Sequence, residues 1–300
     1  MTATAEASLA GRDLLRINDL SRGEAETILD TAVELKGDRR GLAPGATLGL
    51  YFAKHSTRTR VSFTVAMAQL GGTAIPLTPD ELQLSRGESL PDTARALSRY
   101  LDVLAVRTHT HAELEAWAEW ATIPVLNALT AEEHPCQALA DALTIRDRLG
   151  GLEGVRVAWV GDGSNVLVSL ASLGELLGYE VVAACPAGYD PVSANSALTV
   201  VRDPREAVRG ADVVVTDTWI SMGQEHERAQ RLADLEAYRL DAALLAEASS
   251  EAFVMHCLPA HPGEEIEAGV LYGPRSAIWD EAENRLHVQK ALLALVLGLA

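Results

Sequence analysis

Ser56, Thr57, Arg58, Thr59 and Arg60 put three hydroxyls and two guanidinium groups into five consecutive positions. Side chains of these types, so closely spaced, can hold an anion. If Ser56 is the N-cap of a helix, Arg58 and Thr59 fall in its first turn, where free backbone N–H groups and the helix dipole already favour negative charge. The hydroxyls and guanidiniums would then complete a cradle for phosphate or carboxylate. Taken alone, the stretch also fits an ordinary capped helix with solvated arginines. Its place directly after the apolar run "TLGLYF" favours the cradle, because ligands of open α/β sheets bind at the carboxyl ends of strands.

Other reactive types follow apolar runs in the same way. Arg107 ends "DVLAV", and His134 comes just past "IPVL", with Pro135 suited to the first helical position and Gln137 one turn on. A lone histidine before a helix is more often a surface cap than a catalyst, so it is the convergence of several strand ends that carries weight. "GDGSNV" places Asn165 at a helix start, where it can hold a small polar substrate or simply cap the helix. Asp217, at the end of "ADVVVTD", can hold an ammonium group or close an Asx-turn, and Ser221, Met222 and Gly223 follow it in a loop. His256 and Cys257 end "AFVMHC", where the thiol is either a nucleophile or inert packing, and Pro259 and Gly263 imply a loop that exposes backbone carbonyls. His109 and His111 lack helical metal-ligand spacing, and no metal site is expected.

The elements that must position these residues alternate between β-rich runs and helical patterns, which predicts parallel sheets with crossover helices. The first half has "SRGEAETILDTAVELK" as an amphipathic helix opened by a Ser21/Glu24 capping box, strand "TLGLYF", a helix from Ser56 to Leu70 stopped by Gly71-Gly72, and strands "TAIPL", "DVLAV" and "IPVL". Helices are predicted around residues 89 to 100 and 111 to 121. The second half runs from helix "HPCQALADALTIRDRLGG" through strand "VRVAWVGD", a helix from Asn165 to Leu177, and strands "YEVVAACP", "ADVVVTD" and "AFVMHC". The expected fold is two doubly wound α/β domains, each with a central parallel sheet flanked by helices: residues 1–133, with a C-terminal helix 281–300 packing back onto them, and residues 134–280. Two domains invite a cleft.

Composition limits what the chain can bind. With 42 acidic against 25 basic residues, the formal charge of −17 argues against nucleic acid or an anionic membrane as partner. Any anion must be captured locally. Cys136, Cys185 and Cys257 are widely spaced, without a C-x-x-C pair, and fit a reducing cytoplasm better than a disulfide framework. The N-terminus lacks a signal-peptide run and the apolar C-terminal stretch "ALLALVLGLA" is too short to span a bilayer, so a soluble chain is expected.

The order and spacing of "STRTR" at 56–60, "HPCQ" at 134–137, "DTWISMG" at 217–223, "HCLP" at 256–259 and "AENR" at 282–285 resemble the transcarbamylases, over nearly the whole chain. The resemblance implies transfer of the carbamoyl group of carbamoyl phosphate to an amine, with no cofactor, in a homotrimer or multiple of trimers whose active sites are shared between subunits. Ser56, Thr57, Arg58 and Thr59 would bind the phosphate, Arg107 would bridge phosphate and carbonyl oxygen, and His134 would polarise that carbonyl. Gln137, the Cys257 and Leu258 carbonyls and Arg285 would hold the carbamoyl amine. Gln83 looks like a phosphate contact donated by a neighbouring subunit. The implied catalytic set is Arg107, His134, Cys257 and Arg285. Asn165, Asp217, Ser221 and Met222 would hold the α-amino and carboxylate ends of L-ornithine, and the "SMG" and "HCLP" loops favour ornithine over aspartate, putrescine or N-acylornithine. Ala53, Ser164 and Pro262 depart from residues common in the family.

Two other classes fit the sequence less well. An NAD-dependent oxidoreductase is disfavoured because Val166 replaces the third glycine of G-x-G-x-x-G and because Cys185 and Pro186 follow the next strand, where a ribose-binding acid belongs. A non-catalytic anion-binding regulator is disfavoured by the joint presence of Arg107, His134, Gln137 and Arg285.

Overall fold

A computed structural model describes residues 8–39, 41–193, 195–220 and 223–300. The chain divides into two compact units, residues 1–139 with 285–300, and residues 140–284. Each is a parallel sheet flanked by helices.

In the first unit the strands are β1 (Thr47–Phe52), β2 (Thr73–Leu77), β3 (Val103–Arg107) and β4 (Val125–Leu129), in the order β2-β1-β3-β4 and all parallel. β1 and β3 are buried along nearly their whole length, as strands covered by helices on both faces must be. Around them Tyr51, Leu104, Val106, Leu114, Trp117 and Val125 form a core, with the Tyr51 and Trp117 rings 4.8 Å apart. The free side of β4 is covered by an extended N-terminal segment: Leu14 donates to the Val125 carbonyl and accepts from Asn127 N–H. β2 is the other edge. It is largely exposed and carries Pro76, a residue tolerated in edge strands because it has no ladder donor to lose.

The second unit has β5 (Arg156–Val160), β6 (Glu180–Ala184), β7 (Leu198–Val201), β8 (Val213–Thr216) and β9 (Phe253–Met255), in the order β7-β6-β5-β8-β9 and again all parallel. Its core includes Ala158, Val160, Val214, Val254, Trp219, Leu240 and Ile278.

The chain order in both sheets reverses direction once. In the first unit it builds outward from β1 to β2 and then from β3 to β4, so the switch lies between β1 and β3, where Phe52 and Arg107 are register partners. In the second unit it lies between β5 and β8, where Val160 pairs with Thr216. Crossover helices leave opposite faces of the sheet at such a point, and a crevice opens beyond the strand ends.

Several boundaries differ from the sequence reading. Strand "IPVL" is displaced to Val125–Leu129, because Pro124 precedes the ladder and "NAL" continues it. The last helix runs Ile278–Val296, starting three residues before the expected Glu281 and ending short of 300. β7 was not anticipated. It is a four-residue edge strand with two exposed positions, too short to show a period.

From Arg285 onward, the last helix belongs to the first unit. Lys290 is buried there, its ammonium donating to the Leu35 carbonyl (2.9 Å), to Gln69 Oε1 (3.1 Å) and to the Asp38 carbonyl. Leu35 is the C-cap of the helix Arg22–Glu34 and Gln69 ends the helix Thr57–Gln69, so one amine ties two helix ends together and satisfies a carbonyl that a helix terminus leaves open. Lys290→Met preserves bulk and removes the donors. It should lower unfolding stability by about 1–3 kcal/mol in urea titration, and an unchanged midpoint would refute this role for the amine.

Candidate functional site

The first group of candidate residues gathers at the β1/β3 switch point. Ser56 is the N-cap of the helix Thr57–Gln69, with Oγ accepting from Thr59 N–H at 3.3 Å. The first turn therefore begins just beyond β1, with Thr57, Arg58 and Arg60 exposed. Thr59 points inward. It is buried, and its hydroxyl accepts from Arg285 Nη2 at 2.7 Å. Arg107, the last residue of β3, is 8% exposed, and His134, Gln137 and Arg285 are also buried. His134 immediately precedes the helix Pro135–Leu149, and its carbonyl accepts from Gln137 N–H at 3.0 Å.

Charge decides what this set can do. Burial, reinforced by the Arg285 and Arg107 guanidiniums, holds the His134 imidazole well below its ordinary pKa, so it is neutral near pH 7 and able to donate one hydrogen bond without adding a third cation. Two guanidiniums and a neutral imidazole suit an oxygen that becomes negative during a reaction. Cys136, next to His134, has no such use: its thiol donates to the Asn127 carbonyl, and burial pushes its pKa up to about 12. Gln83 stands exposed on the 3-10 helix Gln83–Arg86.

The second group gathers at the β5/β8 switch point. Asn165 begins the helix Asn165–Leu177 after the tight turn Gly161–Ser164. Ser164, at the N-cap, makes no side-chain capping bond, and its buried Oγ has no hydrogen-bond partner among the described residues. Asp217 follows β8 and is buried. Its Oδ1 accepts from Thr218 N–H at 2.8 Å and from the Cys257 thiol at 3.0 Å. Burial raises its pKa, an effect opposed by His256, Cys257 and Thr218. Ser221 and Met222 lie outside the described residues.

Past β9, His256 is buried and fixes the backbone of its own loop. Its Nδ1 accepts from Leu258 N–H at 2.9 Å, so the ring proton resides on Nε2 and is directed at Glu265 Oε1, 3.2 Å away. The His256 N–H donates to Glu281 Oε2 at 2.8 Å. Leu258 is thereby held at φ 60°, a left-handed conformation that side-chain-bearing residues rarely adopt. The Cys257 thiol is pushed well above its ordinary pKa, first by burial and then by Asp217. That is the opposite of an activated nucleophile.

Among the described residues two side-chain groups are close enough to share a cation: Asp217, His256 and Cys257, and His261, Glu264 and Glu265. In the first, both His256 nitrogens and the thiol proton are already engaged. In the second, Glu264 pairs with Arg228, and Glu265 accepts from His261 N–H. Sequence reading had missed Glu265 and Glu281, since nothing in "PGEEIE" or "DEAENR" distinguishes a buried acid from its solvated neighbours.

The family model described as "Aspartate/ornithine carbamoyltransferase, carbamoyl-P binding domain" matches residues 12–147, and its companion, "Asp/Orn binding domain", matches residues 153–296. This chain belongs to the aspartate/ornithine carbamoyltransferase family. Among relatives of this carbamoyltransferase chain, the ornithine carbamoyltransferase of Parasynechococcus marenigrum is 52% identical, over 99% of this chain and 97% of its own. The solved ornithine carbamoyltransferase from Pyrococcus furiosus matches with a TM-score of 0.94 at 47% identity, over 97% of this chain and 99% of that one. That from Gloeobacter violaceus matches with a TM-score of 0.85, also at 47% identity, over 96% and 99%.

Two outcomes follow from the electrostatics of this carbamoyltransferase. His134 should stay neutral as pH falls below the ordinary 6.5, while the unfolded chain takes up its proton there. Its burial should therefore cost stability with falling pH, at up to about 1.4 kcal/mol per pH unit, and the imidazole nitrogen shifts should show no protonation down to that range. Cys257 should be alkylated by iodoacetamide at about pH 8 at least tenfold more slowly than glutathione, and Asp217→Asn should speed it. Peptide mapping that finds Cys257 as fast as glutathione would contradict the raised pKa.

Proposed function

We infer that this chain transfers the carbamoyl group of carbamoyl phosphate to the δ-amine of L-ornithine, giving L-citrulline and phosphate. The buried Arg107, His134 and Arg285 at the β1/β3 switch point carry the reading, because they match the charge of a carbamoyl phosphate carbonyl becoming an oxyanion. The family membership and the ornithine carbamoyltransferases among its relatives favour ornithine as the amine.

In this reading Ser56, Thr57, Arg58 and Thr59 hold the phosphate, with Gln83 supplied by a neighbouring subunit. Arg107 spans phosphate and carbonyl oxygen, and His134 donates to that oxygen. Arg285, Gln137 and the carbonyls of Cys257 and Leu258 orient the carbamoyl amine. Asn165, Asp217, Ser221 and Met222 hold the amino-acid ends of ornithine. The neutral δ-amine attacks the carbamoyl carbon, the tetrahedral intermediate expels phosphate, and no carbamoyl-thioester forms on Cys257. Positioning contributes on the order of 7–11 kcal/mol to such a reaction, and each oxyanion donor about 3. The first unit is then the carbamoyl-phosphate domain and the second the ornithine domain. A trimeric assembly is supported by Val61 and Val65, exposed on the helix Thr57–Gln69, by Ile75 on the open edge β2, and by the outward Gln83. A cytoplasmic location is supported by three free cysteines. Among the described residues no helix is long and apolar enough to cross a membrane.

An amine panel with carbamoyl phosphate tests the reading. Ornithine should yield citrulline, whereas aspartate, putrescine and N-acetylornithine should react at less than about 1% of its rate. Arg58→Ala should chiefly raise KM for carbamoyl phosphate, Asp217→Ala KM for ornithine, and His134→Ala should lower kcat by about 10²–10³. Activity should climb towards alkaline pH as the δ-amine loses its proton. Preference for another amine, or indistinguishable Arg58 and Asp217 variants, would refute the assignment.

A further inference from the structure

Arg231, on the helix Arg228–Leu235, is a cation of the second unit for which the roles above have no use. Its side chain is only 11% exposed. Nη1 donates both to Asp162 Oδ2 at 2.8 Å and to the Trp219 carbonyl at 3.1 Å, while Nε donates to Glu227 Oε2 at 2.9 Å. These acceptors belong to different segments. Asp162 lies in the turn after β5, three residues before Asn165, and Trp219 lies two residues past Asp217 on the way to Ser221.

The surroundings leave the turn little freedom. Gly163 N–H donates to the Tyr189 carbonyl at 2.9 Å, and a Cβ on Gly163 would come within 2.3 Å of the Pro191 nitrogen. The Arg231 guanidinium lies over the Tyr189 ring at 5.2 Å, and the Tyr189 hydroxyl donates to Asp234, one turn along the helix from Arg231. On the other side the Trp219 ring is almost fully buried. Asp162 is a partly buried carboxylate, and burial opposes its ionisation while Arg231 favours it. Removing the guanidinium would leave that carboxylate uncompensated and the two segments untied.

We propose that Arg231 is a positioning residue for the amino-acid half of the reaction, fixing the turn that carries Asn165 against the segment that carries Asp217 and Trp219. It does so without touching substrate. The geometry needs a planar fork that reaches two acceptors from one nitrogen and a third from another, which an ammonium point charge does not reproduce. The proposal rests on the ornithine reading above and adds to it what sets the affinity for the α-amino and α-carboxylate ends.

Steady-state kinetics on the full-length enzyme test it, with wild type, Arg231→Gln, Arg231→Lys, Asp162→Asn and the Asp162→Asn/Arg231→Gln double variant. Arg231→Gln should raise KM for ornithine about tenfold or more, with KM for carbamoyl phosphate and kcat at saturating ornithine within about threefold of wild type. Arg231→Lys should recover part of the loss. The double variant should bind ornithine no worse than Arg231→Gln alone, since neutralising Asp162 removes the charge left behind. A KM for ornithine within about twofold of wild type in Arg231→Gln overturns the proposal. So do equal rises in both KM values, or a collapse of kcat together with the thermal midpoint, because these describe general structural support. A wild type that makes no citrulline overturns the ornithine reading and this proposal with it, whereas an active wild type with an insensitive Arg231→Gln overturns this proposal alone.

Discussion

The placement of the candidate site residues depends on where each parallel sheet changes its direction of growth. A strand that gains neighbours on both sides sends its crossover helices to opposite faces, and the space beyond its carboxyl end stays open. β1 and β3 do this in the first unit, β5 and β8 in the second. The residues at or just past those four strand ends include Ser56, Arg107, Asn165 and Asp217. The reactive groups are thus placed by hydrophobic runs that contain no reactive group themselves.

Electrostatics then separates the two halves. In this acidic protein two buried guanidiniums, Arg107 and Arg285, act on one site, which avoids a third positive charge by keeping His134 neutral. The second half does the reverse, with Asp217 accepting a proton-sharing contact from a thiol that burial keeps protonated. Dehydration therefore makes opposite demands on the two sets: it sharpens the attraction of guanidiniums for an oxyanion, and it quiets a cysteine that could otherwise react.

How much could be read in advance follows from the range of each signal. The helix at Thr57–Gln69 and strands such as Thr47–Phe52 were legible because capping serine, apolar run and terminal glycine are local features. The placement of candidate residues such as Arg107 and Asp217 at strand ends was legible for the same reason. Arg231 was not, because its helix is short and its partners stand 12 and 69 positions away. Glu265 and Glu281 were hidden likewise. An acid that sustains a buried histidine is spelled the same way as one facing water, and only the packing tells them apart. The edge strand β7 gave too few residues to reveal alternation.

Pro76 in the edge strand β2 has a further consequence. A growing β-ladder recruits new chains by offering them alternating donors and acceptors, and this ladder has a missing rung. The open margin of the first sheet is therefore a poor template for runaway strand addition, and whatever settles there must be selected by the shapes of side chains. Resistance to edge-to-edge association is thus partly written into one imino acid, far from any chemistry.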